Sequence, residues 1–198
     1  MEKMENCIVD FGKCGFVYCY FRNTVGNCRE FKGILQYSDG SIYEGHFLEG
    51  KECGRGRKIF PRLEIYEGEF LDGKFHGKGK YTGAKGENYD GEWKDGKQDG
   101  EGFEVLQDGQ KYSGQFKNGL KHGNGKIIWT DGTVYEGEFS QNKIEGQGQK
   151  SWRSGKKYVG MWKDEKENGK GTMYYPNSST YNGNFVSGLK HGPGELTA

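Results

Sequence analysis

Three of the four histidines, four of the five cysteines and several Gly-Lys-Gly pieces are the residues of this chain whose types and spacing invite a chemical reading. His76, His122 and His191 occupy equivalent places in a repeating pattern, which makes a shared metal site the first idea to test. The nearest two are 46 residues apart. If each repeat contributes two strands, that separation is roughly 20 Å. Zinc ligands must all lie within about 2.0–2.3 Å of one ion, so each histidine is expected to bond within its own turn. Cys7, Cys14, Cys19 and Cys28 cluster near the N-terminus but contain no Cys-x-x-Cys pair. Plain reduced thiols are the favoured reading, with a zinc site and a disulfide as the alternatives. The Gly-Lys-Gly pieces lack the Gly-x-x-x-x-Gly-Lys-Ser/Thr spacing that cradles phosphate, and none precedes a helical pattern. No nucleophile–base set is recognisable. The chain is therefore expected to be no enzyme, with no cofactor and no metal.

The element that positions every residue is a repeat. Tyr-x-Gly recurs at Tyr43, Tyr66, Tyr89, Tyr112, Tyr135, Tyr158 and Tyr181, always 23 residues apart. Four residues after each tyrosine stands Phe47, Phe70, Trp93, Phe116, Phe139, Trp162 or Phe185. A Gly-x-Gly follows in every copy, from Gly54/Gly56 to Gly192/Gly194. Such fixed columns mean structural glycine and not low-complexity filler. Each copy reads as two short strands joined by a turn such as Asp72-Gly73, and Asp39-Gly40, Asp108-Gly109 and Asp131-Gly132 mark turns between copies. Alternation puts Tyr66, Gly68 and Phe70 on one face and Glu67 and Glu69 on the other. The expected register sets Tyr66 opposite Tyr81, Gly68 opposite Gly79 and Phe70 opposite Gly77, with Glu67 meeting Lys80 and Glu69 meeting Lys78.

Composition agrees with an aromatic repeat protein. Leu, Ile, Val and Phe number only 35 of 198, yet the net charge is +1 and aromatics reach 15%, so the chain is expected to fold around rings. Near-neutral charge gives no reason to expect nucleic acid. The lack of a signal-like start and the odd cysteine count point to a reducing, cytoplasmic setting. Residues 1–42 keep only fragments of the pattern and read as an N-terminal cap with a degenerate repeat; residues 43–198 hold the seven full repeats. The apolar Cys14–Phe21 stretch reads as a cap strand, with a docking strand as the alternative.

The stretches YEGEFLDGKFHGKGKY and YSGQFKNGLKHGNGK resemble the MORN repeat over residues 43–198. Asn142 and Glu165 depart from it at the turn glycine, and Cys53 at the histidine. The resemblance implies an all-β fold: an elongated single-layer antiparallel sheet of stacked hairpins with a groove along one face. It also implies scaffolding roles, such as those of ciliary radial-spoke proteins, junctophilins, protist cytoskeletal scaffolds and small repeat proteins that bind helical tails. Two readings follow. The first is a protein scaffold, cytoskeletal or ciliary, that binds a helical or extended segment of a partner along an aromatic stripe: Tyr89, Trp93, Tyr112, Phe116, Trp129, Tyr135, Trp152, Tyr158 and Trp162. Self-association through the Cys14–Phe21 segment is a further mode. The second is a module for anionic phospholipid, using Arg55, Arg57, Lys58 and Arg62, or Lys150, Arg153, Lys156 and Lys157.

Overall fold

The computed structural model describes residues 7–10, 16–23 and 30–198, with side chains described from Lys32 onward. The expectations for Cys7, Cys14, Cys19 and Cys28, and for an interface at Cys14–Phe21, concern side chains outside the described residues. Among the described residues every element is a β-strand. The chain divides into two compact units, residues 1–98 and 99–198. The first holds β1 (Cys7–Asp10), β2 (Phe16–Asn23), β3 (Glu30–Gln36), β4 (Ile42–Leu48), β5 (Lys51–Ile59), β6 (Ile65–Leu71), β7 (Lys74–Thr82) and β8 (Asn88–Lys94). The second runs from β9 (Lys97–Val105) through β10 (Lys111–Lys117), β11 (Leu120–Ile128), β12 (Val134–Ser140), β13 (Lys143–Ser151), β14 (Lys157–Lys163), β15 (Lys166–Tyr174) and β16 (Thr180–Val186) to β17 (Leu189–Thr197). Within each unit every strand pairs antiparallel with the next, as an open sheet of successive hairpins.

Two kinds of turn alternate. Inside each repeat the strands are joined by two residues that both have positive φ, such as Asp72 (50°) and Gly73 (76°). That is the mirror-image turn whose twist matches a hairpin. Where Asn142 and Glu165 replace glycine they still take φ of 70° and 64°. Asn142 is compensated, because its side-chain oxygen accepts from the Lys121 N–H at 2.8 Å. Between repeats a five-residue link closes on itself, as Phe60 N–H donates to the Glu64 carbonyl at 2.8 Å.

Glycine pairs make room for the core. Gly68 faces Gly79, and Gly137 faces Gly148. The ring of Tyr135 lies over the second of these pairs, where a side chain on Gly148 would fall inside the ring. One step on, the ladder slips: Gly137 pairs with Gly148, but Phe139 pairs with Ile144. The bulge turns strand carbonyls toward the tyrosine hydroxyl. Tyr43 donates to the His46 carbonyl at 2.9 Å, Tyr66 to Glu69 at 2.9 Å, Tyr135 to Glu138 at 3.1 Å and Tyr158 to Met161 at 3.0 Å. Tyr43, Tyr66, Tyr112, Tyr135 and Tyr158 also each meet two rings edge-on. Tyr135 contacts Phe139 of its own repeat at 5.2 Å and Trp162 of the next at 5.4 Å. Such pairs contribute roughly 0.5–1.5 kcal/mol beyond burial. The core is thus a zipper of rings on one face of the sheet.

The bulge corrects part of the expected register. Tyr66 does face Tyr81, Glu67 faces Lys80 and Gly68 faces Gly79. Beyond that point Phe70 faces Phe75, not Gly77, and Glu69 faces His76, not Lys78. Phe70 instead faces Gly54 of the preceding repeat, and Trp93 faces Gly77. Ring-over-glycine pairing therefore joins neighbouring repeats. Glu69 reaches Lys78 in another way, accepting from its backbone N–H at 3.3 Å. Gln115 and Glu138 seal the equivalent bulges at Asn124 and Gln147. At His76 the buried Nδ1 has no hydrogen-bond partner, so that nitrogen makes no bond in its turn.

Two measurements check this account. Glu165→Gly removes a left-handed side-chain residue that makes no compensating bond, and is expected to raise stability by about 0.5–1 kcal/mol in urea unfolding. Asn142→Gly relieves the same kind of backbone but gives up the bond to Lys121, so its net gain is expected to be smaller. The second concerns pH. Burial raises the phenols of Tyr43, Tyr66, Tyr112 and Tyr135 well above the ordinary value of 10.0, and Tyr158 to about 12. A folded phenol that keeps its proton longer than an unfolded one stabilises the fold fully below pH 10, and that contribution is lost as pH rises through 12. Stability is expected to fall steadily above pH 10, in step with tyrosinate absorbance. Flat stability across that window would contradict the buried-phenol core.

Candidate functional site

The zipper decides what the aromatic stripe offers. Tyr89, Trp93, Tyr112, Phe116, Tyr135, Tyr158 and Trp162 are all buried. The indole of Trp93 donates to the Gly79 carbonyl at 2.9 Å and that of Trp162 to Gly148 at 3.2 Å. These seven rings hold repeats together. Trp129 and Trp152 differ: they stand at the entry to the inter-repeat links and are half exposed. The structure thus separates the nine aromatic residues into seven that pack the sheet and two at its margin.

The opposite face carries a groove within residues 99–198, about 670 Å³ in volume. Its floor is the backbone of Gly114, Gly125, Gly137 and Gly148, the glycines that tyrosine rings cover from behind. Its walls include Glu101, Ser113, Lys126, Glu136, Gln147, Gln149 and Val159. Carboxylates, amides and one ammonium over bare backbone suit a polypeptide better than a compact apolar molecule, because they offer many weak donors and acceptors over a long track. Among the described residues no three His, Cys, Asp or Glu side chains gather as a metal site.

Apolar anchors stand at the two ends of this track. The sixth repeat places Val159 and Met161 on the polar face, 39% and 37% exposed, where the other repeats carry polar or charged residues such as Glu67/Glu69 and Glu136/Glu138. Met161 has no oxygen with which to seal the bulge, so these two residues surrender a local bond and expose apolar surface. Phe103, 42% exposed and facing Ser113, lies toward the other end. From β9 to β14 is five strand steps, roughly 24 Å. Val159, Met161 and Phe103 escaped the sequence reading, although their departure from their own columns was the available signal.

The two basic sets differ in what they meet. Arg57 pairs with Glu67 at 3.2 Å, and Lys58 with Glu52 at 2.8 Å. Lys150 and Lys156 lie over indole rings. Arg57 and Lys58, already paired with carboxylates on their own sheet, are less available to a lipid surface than free cations.

Comparisons with known proteins come last. Among solved structures the chain is similar to the SAS-4 (dCPAP) TCP domain of Drosophila melanogaster in complex with a proline-rich motif of Ana2 (dSTIL), with 16% identity, 89% of this chain and 92% of that chain covered, and a TM-score of 0.46. It is also similar to the wild-type TCP10 domain of Danio rerio CPAP, with 12% identity, 90% and 94% covered, and a TM-score of 0.44. No curated protein matches it. The MORN repeat profile matches residues 43–62, 66–87, 89–111, 112–134, 135–157, 158–180 and 181–198, the same copies whose tyrosines, bulges and turns are described above. With its repeats matched from Tyr43 to the last described strand, the chain belongs to the MORN-repeat family.

Proposed function

We propose that this protein is a non-enzymatic interaction scaffold that holds a helical or extended segment of a partner protein in the polar groove of residues 99–198. The observation that carries the reading is the pair Val159 and Met161, exposed on a face that the other repeats keep polar. Exposed apolar groups beside a groove are the usual marks of a partner surface. A track of roughly 24 Å takes about seven residues of extended chain or about sixteen of helix. Apolar side chains near both ends of the segment would meet Phe103 and Val159, and its polar middle would lie over the glycine floor. Of the nine aromatic residues, Trp129 and Trp152 remain as a second contact surface. A cytoskeletal or ciliary assembly is the setting in which many MORN-repeat proteins work, and it belongs to the proposal on that footing alone.

The test is co-purification of the tagged protein from its own cells beside two variants, each first shown to unfold like the parent. Val159→Asp puts a charge on the groove wall at an exposed position. Its partner is expected to be lost or weakened at least about tenfold, since a charge facing a desolvated apolar anchor costs more than about 1.4 kcal/mol. Trp129→Ala/Trp152→Ala is expected to retain it. The reverse pattern would move the site to the aromatic margin and defeat the groove reading.

A further inference from the structure

Repetition lets one copy be read against another. In the first repeat the carboxylate of Glu52 is buried, 3% exposed. It accepts a hydrogen bond from the Tyr37 hydroxyl, and Lys58 Nζ lies 2.8 Å away. The same ammonium sits 4.4 Å from the centre of the Tyr37 ring. Tyrosine and lysine both engage Oε1 of this carboxylate, while its buried Oε2 has no hydrogen-bond partner. A second lysine drawn into the aromatic face has the same solution: Lys121 meets Glu104 at 2.6 Å and lies 5.1 Å from the Tyr112 ring.

Four repeats on from the first set, its three positions hold Trp129, Ile144 and Lys150. The ring and the lysine are kept, and the carboxylate is gone. Lys150 Nζ lies 4.7 Å from the Trp129 ring, 5.4 Å from Trp152 and 6.0 Å from Trp162. Lys156 covers Trp152 at 4.7 Å. Indole and ammonium therefore alternate along this margin. Glu167, Glu165 and Asp131 act on Lys150 through space, but among the described residues no carboxylate comes within 4.0 Å of it. Burial holds its ammonium below the ordinary lysine value, which marks a charge that is desolvated and incompletely compensated. The indole N–H groups of Trp129 and Trp152 have no protein acceptor among the described residues, whereas Trp93 and Trp162 both do. Donors and cation are in place for an acceptor that this repeat does not contain.

We propose that Trp129, Lys150, Trp152 and Lys156 form a receptor for a carboxylate side chain on an acidic segment of a partner protein, the carboxylate taking at Lys150 the place that Glu52 takes at Lys58. The chain itself shows which group such a lysine accepts. The indoles shield the pair from water and strengthen it. The second ammonium, on Lys156, favours a segment with more than one acid. This surface lies on the face opposite the groove, so it stands or falls separately from the groove reading.

The test uses the full chain and a synthetic hexaglutamate peptide at low ionic strength, followed by indole fluorescence and calorimetry. Saturable binding with a change in indole emission is expected. Lys150→Gln, a half-exposed position, should weaken it at least about tenfold and Lys156→Gln about threefold, as expected for loss of one charge-assisted bond. Exposed Lys163→Gln should leave it unchanged. Ile144→Glu restores the missing internal carboxylate and should abolish binding while keeping Lys150. If that variant does not fold, Lys150→Gln against Lys163→Gln decides. No saturable binding, equal loss in both lysine variants, or attachment to phosphatidylserine vesicles without affinity for the peptide would overturn the proposal.

Discussion

Everything in this sheet depends on a tyrosine ring lying across a pair of facing glycines. The ring needs the flat space that only glycine leaves, and its hydroxyl needs a carbonyl that a regular ladder would have used. The bulge after each glycine pair supplies that carbonyl, so ring, glycine and bulge are one device. Tyr66 with Gly68, Gly79 and the Glu69 carbonyl illustrates it. Because the ring also touches aromatic residues of its own repeat and of the next, the device joins repeats as well as folding each one. A sheet without a second layer has no other way to bury apolar surface, and that is why aromatic residues replace the usual aliphatic core.

This arrangement sorts the two faces by role. The ring face is committed to packing, except at its margin, where the link residues Trp129 and Trp152 stay half exposed. The other face is free to vary, because its side chains touch only their neighbours on adjacent strands. Variation there is informative for the same reason. Glu69, Gln115 and Glu138 spend their side-chain oxygens on sealing a bulge. Met161 at that column cannot do so, and its apolar side chain faces solvent beside Val159.

Internal comparison also explains the lysines. A half-buried ammonium on an aromatic face loses hydration, and rings restore only part of it. Glu52 and Glu104 complete the compensation for Lys58 and Lys121. Lys150 is held by indoles alone at contact distance. The difference lies in a single column, where Ile144 stands in the place of Glu52.

The amino-acid sequence by itself determined the period, the two-strand unit, the turns and the glycine and tyrosine columns. These are local features: mirror-image turns demand residues such as Asp72-Gly73, and alternation sets which side chains share a face. The packing of repeats was decided only by the tertiary structure. The bulge moved Phe70 from Gly77 of its own repeat to Gly54 of the previous one, because two strands compete for each ring and the tyrosine hydroxyl settles which carbonyl turns inward. The same packing buried seven of the nine stripe aromatics and left the groove on the opposite face. A pattern of types tells which residues share a face, but whether a ring faces a partner or another ring depends on contacts between repeats.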